Sequence, residues 1–326
     1  MQIFNELQEN KGLSLAFGFF DGVHIGHQAV IKSAVDHGGK CGAKSAIITF
    51  QDHPCCYFYH VKPQYIITRH DKVKMFENLG VDYLYFLKFD DYLASMDANA
   101  YMKEVIVKNF APVAISTGFN HSFGAHKSGD VSFLNKSQKE FNYKYFEVPP
   151  VLYNSEIVSS TRIREDLLLG NIELVNAMLG YDYFLEGIVI EGDKIGRTIG
   201  FKTANLIYPD DLVTVGKGVY KVKVNYDGKT YDGVVNYGLR PTVTENHNVM
   251  LNSFQHRISE RPCGPETSSG RRSILEVHIL NFDKDIYGEK INVNFLKKIR
   301  DEKKFDSLDE LKAQIQEDIH SIVKLP

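Results

Sequence analysis

Short apolar runs alternate with amphipathic stretches through the first half of the chain. Leu13–Phe20, Ser45–Phe50, Tyr83–Phe89, Val113–Thr117 and Tyr145–Val148 read as strands. Between several of them lie segments that read as helices: Gln28–Asp36, Asp71–Leu79 and Asp97–Asn109. Gly38-Gly39 is expected to stop the first and Gly80 the second. This alternation predicts an α/β unit, a parallel sheet with helices on its faces. In such sheets ligands bind beyond the carboxyl ends of the strands.

Near Tyr181 the pattern changes. Tyr183–Ile190, Val219–Tyr226, Thr230–Tyr237, Ile274–Phe282 and Lys290–Phe295 read as strands, and Asp227-Gly228 marks a two-residue hairpin turn. Clustered strands with short turns predict a small β-barrel or sandwich. Ser307-Leu308-Asp309-Glu310 is a capping box. It opens a terminal helix whose apolar stripe (Leu308, Leu311, Ile315, Ile319, Ile322) should pack on the barrel. Ile172–Leu179 reads as the helix that ends the first domain. The boundary is therefore expected near Gly180, giving domains 1–180 and 181–326. Residues 243–272 are polar, broken by Pro and Gly and without periodicity, and read as a loop insertion.

At 326 residues, two domains are expected. The formal charge of −3 gives no reason to expect a nucleic-acid or anionic-membrane partner. No apolar run reaches membrane-spanning length, and Met1–Glu6 lacks the look of a signal peptide. The four cysteines form no C-x-x-C pair and read as free thiols in a reducing cytoplasm. Oligomeric state is not legible.

The stretch Phe17-Gly18-Phe19-Phe20-Asp21-Gly22-Val23-His24-Ile25-Gly26-His27 carries the clearest chemistry. A strand ends in a glycine-bracketed turn and a helix follows. Unpaired N–H groups and the helix dipole at such a start favour phosphate. His24 and His27 beside it can donate hydrogen bonds to a phosphate under attack. Their H-x-G-H spacing resembles the nucleotidyltransferase superfamily, whose enzymes attack the α-phosphate of a nucleoside triphosphate. Gly118-Phe119-Asn120-His121-Ser122-Phe123-Gly124 follows another strand. Val158-Ser159-Ser160-Thr161-Arg162-Ile163-Arg164 opens a helix. Its hydroxyls suit either triphosphate binding or simple N-capping.

The second half has its own phosphate-type loop, with Gly192, Lys194, Gly196, Arg197 and Gly200, followed by Lys202-Thr203-Ala204-Asn205. Thr203 and Asn205 offer oxygen ligands that suit Mg²⁺. Glu276 sits in an alternating apolar strand. It is either an outward-facing strand residue or a general base.

In this order the motifs resemble the bifunctional prokaryotic riboflavin kinase/FMN adenylyltransferases, or FAD synthetases, from about Leu13 to the terminal helix. The resemblance implies a Rossmann-like nucleotidyltransferase domain followed by a riboflavin kinase-like β-barrel. It implies ATP, riboflavin, FMN and FAD as substrates or products, with Mg²⁺. His24 and His27 would contact the ATP phosphates in adenylyl transfer. Gly18, Asp21, Gly22, Gly26 and Asn120 would belong to that ATP and flavin site, and Ser159, Ser160, Thr161 and Arg164 would hold the triphosphate. In the kinase, Thr203 and Asn205 would bind metal and nucleotide, and Glu276 would activate the ribityl 5′-hydroxyl.

Four departures stand out. Asp52 replaces a family proline in Thr49-Phe50-Gln51-Asp52-His53-Pro54, His121 replaces a phenylalanine and Lys202 replaces the proline before Thr203. The fourth is the insertion, between Arg240-Pro241-Thr242 and Glu276. Two other readings stay open: an adenylyltransferase whose barrel only holds flavin, and a non-catalytic flavin sensor. The insertion's composition offers few apolar side chains to bury, so excising roughly residues 246–269 is expected to leave the melting temperature nearly unchanged. A large fall on calorimetry would show that the segment belongs to the barrel core.

Overall fold

The computed structural model describes residues 1–61, 63–191, 201–239, 273–303, 305 and 307–324. By packing, the chain divides into Met1–Ile163 and Arg164–Pro326.

The first unit is built on six parallel strands: β1 (Gln2–Phe4), β2 (Ser14–Phe17), β3 (Ser45–Phe50), β4 (Tyr83–Leu87), β5 (Ala114–Gly118) and β6 (Lys144–Val148). They lie in the order β1-β4-β3-β2-β5-β6. The central strands are buried on both faces, as their unbroken apolar character requires. From β2 the chain winds outward through β3 and β4, then crosses to the other side of β2 to form β5. The order of winding thus reverses at β2, and the crevice beyond its carboxyl end is the expected ligand position.

Helix α1 (Ile25–Cys41) follows β2. It runs through Gly38-Gly39 and stops at Gly42, which takes a left-handed conformation. Gly38 is there for close approach rather than termination: a Cβ would sit 2.9 Å from the Ala43 carbonyl oxygen and 3.3 Å from Ser14 Cβ. Helix α2 (Arg69–Asn78) is capped by Thr68, whose hydroxyl oxygen accepts from Asp71 N. The predicted 97–109 helix forms as Ala98–Ala100, a wider π-turn stretch over Tyr101–Val107, and Lys108–Phe110.

The second unit begins within α3 (Ser160–Leu169) and includes α4 (Ile172–Leu179), which Gly180 closes in a left-handed conformation. Its six strands are β7 (Phe184–Ile190), β8 (Thr203–Ile207), β9 (Gly218–Tyr226), β10 (Lys229–Leu239), β11 (Ser273–Ile279) and β12 (Lys290–Arg300). They close as a barrel in the order β7-β8-β11-β10-β9-β12. Closure removes the open edges a sandwich would leave. Asp227 and Gly228 both have positive φ, as a two-residue hairpin turn between right-twisted strands demands. The interior is filled by alternate residues, among them Leu185, Val189, Leu206, Val222, Leu275, Val277 and Phe295. Asn176 of α4 ties that helix to the barrel, donating to the Phe295 carbonyl at 2.8 Å and accepting from Tyr183 N at 2.8 Å.

The terminal helix α5 (Leu308–Lys324) is capped as expected, Ser307 Oγ accepting from Glu310 N at 3.2 Å. Ile319 and Ile322 pack on Val219 and Val234. Arg300, at the end of β12, grips Asp318 of α5 bidentately, at 3.0 Å from Nε and 2.8 Å from a terminal nitrogen. Asp318 is 3 % exposed. Removing one member of such a pair strands the other charge. Asp318→Ala is therefore expected to cost about 3–5 kcal/mol of the second unit's stability in urea unfolding. A loss below about 1 kcal/mol would place this bridge with ordinary surface pairs. No helix among the described residues is long and apolar enough to cross a membrane.

Candidate active sites

The turn after β2 is the first site. The strand stops at Phe17, three residues before its apolar run ends, because Phe20 turns left-handed (φ 56°). Gly22 (φ 78°) and Val23 (φ 37°) follow in the same region. Gly22 accepts this conformation freely, and a Cβ there would also meet Ile66 Cδ1 at 2.9 Å. Val23 is β-branched and pays strain for it. Hydrogen bonds hold the turn from several sides. Ile66 N donates to both oxygens of the buried Asp21 carboxylate, at 3.0 and 3.2 Å. Ser160 Oγ donates to the Asp21 carbonyl at 2.9 Å, and Gln28 Nε2 to that of Val23 at 2.9 Å.

This turn delivers His24 as the N-cap of α1. His24 Nδ1 accepts from His27 N at 3.3 Å, so the ring proton is on Nε2. The two rings stack with centroids 3.5 Å apart and planes 19° apart. His24 is 5 % exposed, and burial pushes its pKa down to about 4. It is therefore a neutral donor at pH 7. Gly26 sits beneath it; a Cβ there would lie 3.1 Å from His24 Cε1 and 4.0 Å from the Val158 carbonyl oxygen. That contact and the Ser160–Asp21 bond bring the starts of α1 and α3 close to one another.

The structure thus brings Asp21, Gly22, His24, Gly26, His27 and Ser160 into one cluster. Gly18 lies at its rim, where a Cβ would touch the Phe20 ring at 2.8 Å. Ser159 is a cap: its hydroxyl oxygen accepts from Arg162 N at 3.3 Å. Thr161 is exposed in the first turn of α3, and Arg164 stands one turn beyond Ser160. Arg162 is taken up by Glu156 and the Tyr153 carbonyl. Asn120 is exposed beyond the carboxyl end of β5, the parallel neighbour of β2. His121 lies against Phe17 (5.9 Å) and Phe123 (5.7 Å, near-parallel). It takes the place of an aromatic plate, and burial lowers its pKa to about 4. Sequence reasoning missed Lys72 and the Ile66 amide. Lys72 lies one helical turn from the fully buried Phe76, a spacing that puts a charge on the apolar stripe of α2.

The second site lies on the barrel's outer face. Directly opposite residues in an antiparallel ladder share a face. The register pairs Thr203 with His278, Asn205 with Glu276, and Glu276 with Asn236. Thr203, Asn205, Asn236, Glu276 and His278 therefore form one polar strip, while Ala204, Leu206, Leu275 and Val277 face inward. Asn205 is 5 % exposed, and its Oδ1 has no hydrogen-bond partner among the described residues. Such an orphaned oxygen suits a hard cation. Lys202, in the family's proline position, is fixed twice: its carbonyl accepts from His278 Nδ1 at 2.8 Å, and its ammonium pairs with Asp283. Beside Thr203 a small open cleft of about 60 Å³ is walled by Val189, Val277, Ile279, Phe282, Ile286 and Tyr287, with Lys284 and Asp285 at its edge. Gly192, Lys194, Gly196, Arg197 and Gly200 lie outside the described residues, as do Arg240-Pro241-Thr242 and the insertion.

His24 and His121 both titrate far below the ordinary value of 6.5. Between pH 6.5 and 4 the unfolded chain therefore binds more protons than the folded one. Stability falls as pH falls through that window, by about 3 kcal/mol per histidine. His121→Phe keeps the plate and removes one of these protons. It is expected to lessen the acid loss of stability of the first unit, read from melting curves at pH 7 and pH 4.5. An unchanged acid slope would show that His121 does not titrate this way.

Comparison with known proteins agrees with the two folds. A family model described as FAD synthetase matches residues 6–162, and one described as riboflavin kinase matches residues 179–325. The bifunctional riboflavin kinase/FMN adenylyltransferase of Bacillus subtilis is 33% identical, over 97% of this chain and 93% of that one. Its Escherichia coli K12 counterpart is 34% identical over 94% and 91%. A crystal structure from Streptococcus pneumoniae, described as a macrolide-efflux protein, superposes with a TM-score of 0.84 at 28% identity over the full length of both chains. The chain belongs to the family of bifunctional riboflavin kinase/FMN adenylyltransferases.

Proposed function

We propose that this chain makes both flavin cofactors, phosphorylating riboflavin to FMN on the barrel and adenylylating FMN to FAD on the parallel sheet. The observation that carries the reading is the coexistence of two separate sites: a histidine pair at a helix start, and a Thr-Asn-Glu strip on barrel strands. The division of labour is drawn between 1–180 and 181–326, although by packing residues 164–180 group with the barrel. Cys41, Cys55 and Cys56 are thiols rather than disulfides, which fits work in the cytoplasm.

In adenylyl transfer, an FMN phosphate oxygen attacks the α-phosphorus of ATP. The bond to the β-phosphate oxygen breaks and pyrophosphate leaves. His24 donates from Nε2 to the phosphates, and His27 contacts them from the stacked position beside it. The N-termini of α1 and α3 add their dipoles. Gly18, Asp21, Gly22 and Gly26 shape the turn, and Asn120 borders the flavin side. Ser159, Ser160, Thr161 and Arg164 form the triphosphate end.

In the kinase reaction the ribityl 5′-oxygen attacks the γ-phosphorus, its proton passes to Glu276, and ADP leaves. Thr203 and Asn205 are the oxygen donors for Mg²⁺, and the unpartnered Asn205 Oδ1 supports that assignment. A bound Mg²⁺ neutralises charge on the phosphates. Gly192, Lys194, Gly196, Arg197 and Gly200 are assigned to the kinase ATP loop. The anchored backbone at Lys202 favours an active kinase over a barrel that only holds flavin.

Two substitutions separate the sites. His27→Ala is expected to lower FAD formation from FMN on the order of a hundredfold, leaving riboflavin phosphorylation near normal. Glu276→Gln is expected to do the reverse. Chromatographic separation of FMN and FAD reads both, and equal loss of both activities in a folded variant would refute the two-site assignment.

A further inference from the structure

One buried charge beside the histidine turn has no place in either reaction. Lys72 of α2 is 6 % exposed. Its Nζ donates to the Phe19 carbonyl at 3.0 Å and stands 4.0 Å above the centroid of the Phe19 ring. The same ring is flanked by His53 at 4.8 Å and Tyr65 at 5.7 Å. Phe19 immediately precedes the left-handed Phe20, so its carbonyl is the last fixed point before the strained stretch. Thr49 Oγ1 reaches the same oxygen only at 3.4 Å.

We propose that Lys72 is a positioning residue for adenylyl transfer, its ammonium holding the Phe19–Val23 turn in the shape that presents His24 and His27. The role rests on the reading of that turn as the adenylyltransferase site. Burial dominates the ammonium's titration and lowers its pKa to about 8; the Asp21 carboxylate works against this, and the Arg69 guanidinium adds to it. A lysine at its ordinary 10.5 when unfolded thus binds more protons unfolded than folded between pH 8 and 10.5. Stability rises across that window, so at neutral pH the charge is held at a cost. Methionine has similar length and no charge to desolvate. A residue kept only for packing would lose nothing by that exchange.

The test uses the full chain, with FAD formation from FMN and ATP as the readout and riboflavin phosphorylation as the internal control. Lys72→Met is expected to lower kcat for FAD formation ten- to a hundredfold, on the order of what a misplaced catalytic group costs. The control should stay within about twofold and the melting temperature should hold or rise. The unmodified chain should lose FAD-forming activity as pH rises through about 8. Lys72→Met should show no such fall, and Lys72→Arg, charged throughout, should remove it while recovering part of the rate. Wild-type kcat in Lys72→Met, or no alkaline fall in the unmodified chain, overturns the proposal. So does a joint loss of both activities with the melting temperature, which would make Lys72 a packing residue. If the unmodified chain forms FMN but no FAD, the site assignment itself fails, and the role falls with it.

Discussion

The first unit depends on a backbone that is held where it would not rest. Phe20, Gly22 and Val23 occupy left-handed conformations within four residues, and each non-glycine among them costs on the order of 1–3 kcal/mol. Such a turn persists only when its surroundings over-determine it. Here Ile66 N, Ser160 Oγ, Gln28 Nε2 and Lys72 Nζ each engage a different oxygen-bearing group of the stretch. The result is a sharp reversal between β2 and α1 at the point where strand order switches. It places His24 as the cap of α1, its Nδ1 accepting from His27 N, just beyond the carboxyl end of β2. The apolar run could have continued as strand to Phe20; the turn shortens it because the site needs a helix start at that depth.

The barrel solves its site differently, with little backbone strain among its described residues. Its chemistry follows from the period of two. Every second residue of β8 and β11 is spent on the interior, and the intervening ones face outward in register. Asn205 and Glu276 are far apart in sequence and adjacent because antiparallel pairing fixes them so. A slip of one residue would turn Thr203, Asn205 and Glu276 into the core and expose Leu206 and Val277. Packing and chemistry therefore specify the same register.

Much of this was legible in the sequence, for identifiable reasons. The order of strands and helices, the Asp227-Gly228 turn, the Ser307 cap and the His24/His27 turn are all written in neighbouring residues. What escaped depended on distance or on shape. Gly38-Gly39 read as a helix stop because glycine usually is one, but α1 needs the missing Cβ at Gly38 to lie against Ala43 and Ser14. Thr203–Ile207 reads in sequence only as a polar stretch following a phosphate-type loop, since a five-residue run holding Thr and Asn shows little strand periodicity. Lys72 and the Ile66 amide reach the turn from 53 and 45 residues away. Only the spacing of Lys72 and Phe76 hinted at it.

The histidine site also shows how burial and substrate charge oppose each other. Dry surroundings keep His24 neutral, so it contributes a directional N–H and no net charge. Positive potential comes instead from the two neighbouring helix starts. A polyphosphate entering this crevice carries several negative charges and replaces water. Its field raises the pKa of every nearby base, His24 included. On the proposed assignment, the site therefore gains positive character as phosphate charge enters it. An enzyme benefits when an interaction strengthens as charge develops rather than when it is already saturated in the ground state. A permanently charged pair of side chains in the same position would bind ATP well and gain less at the transition state. The tight stacking of His24 on His27 fits this logic, because two rings 3.5 Å apart are tolerable only while at most one carries a proton's charge.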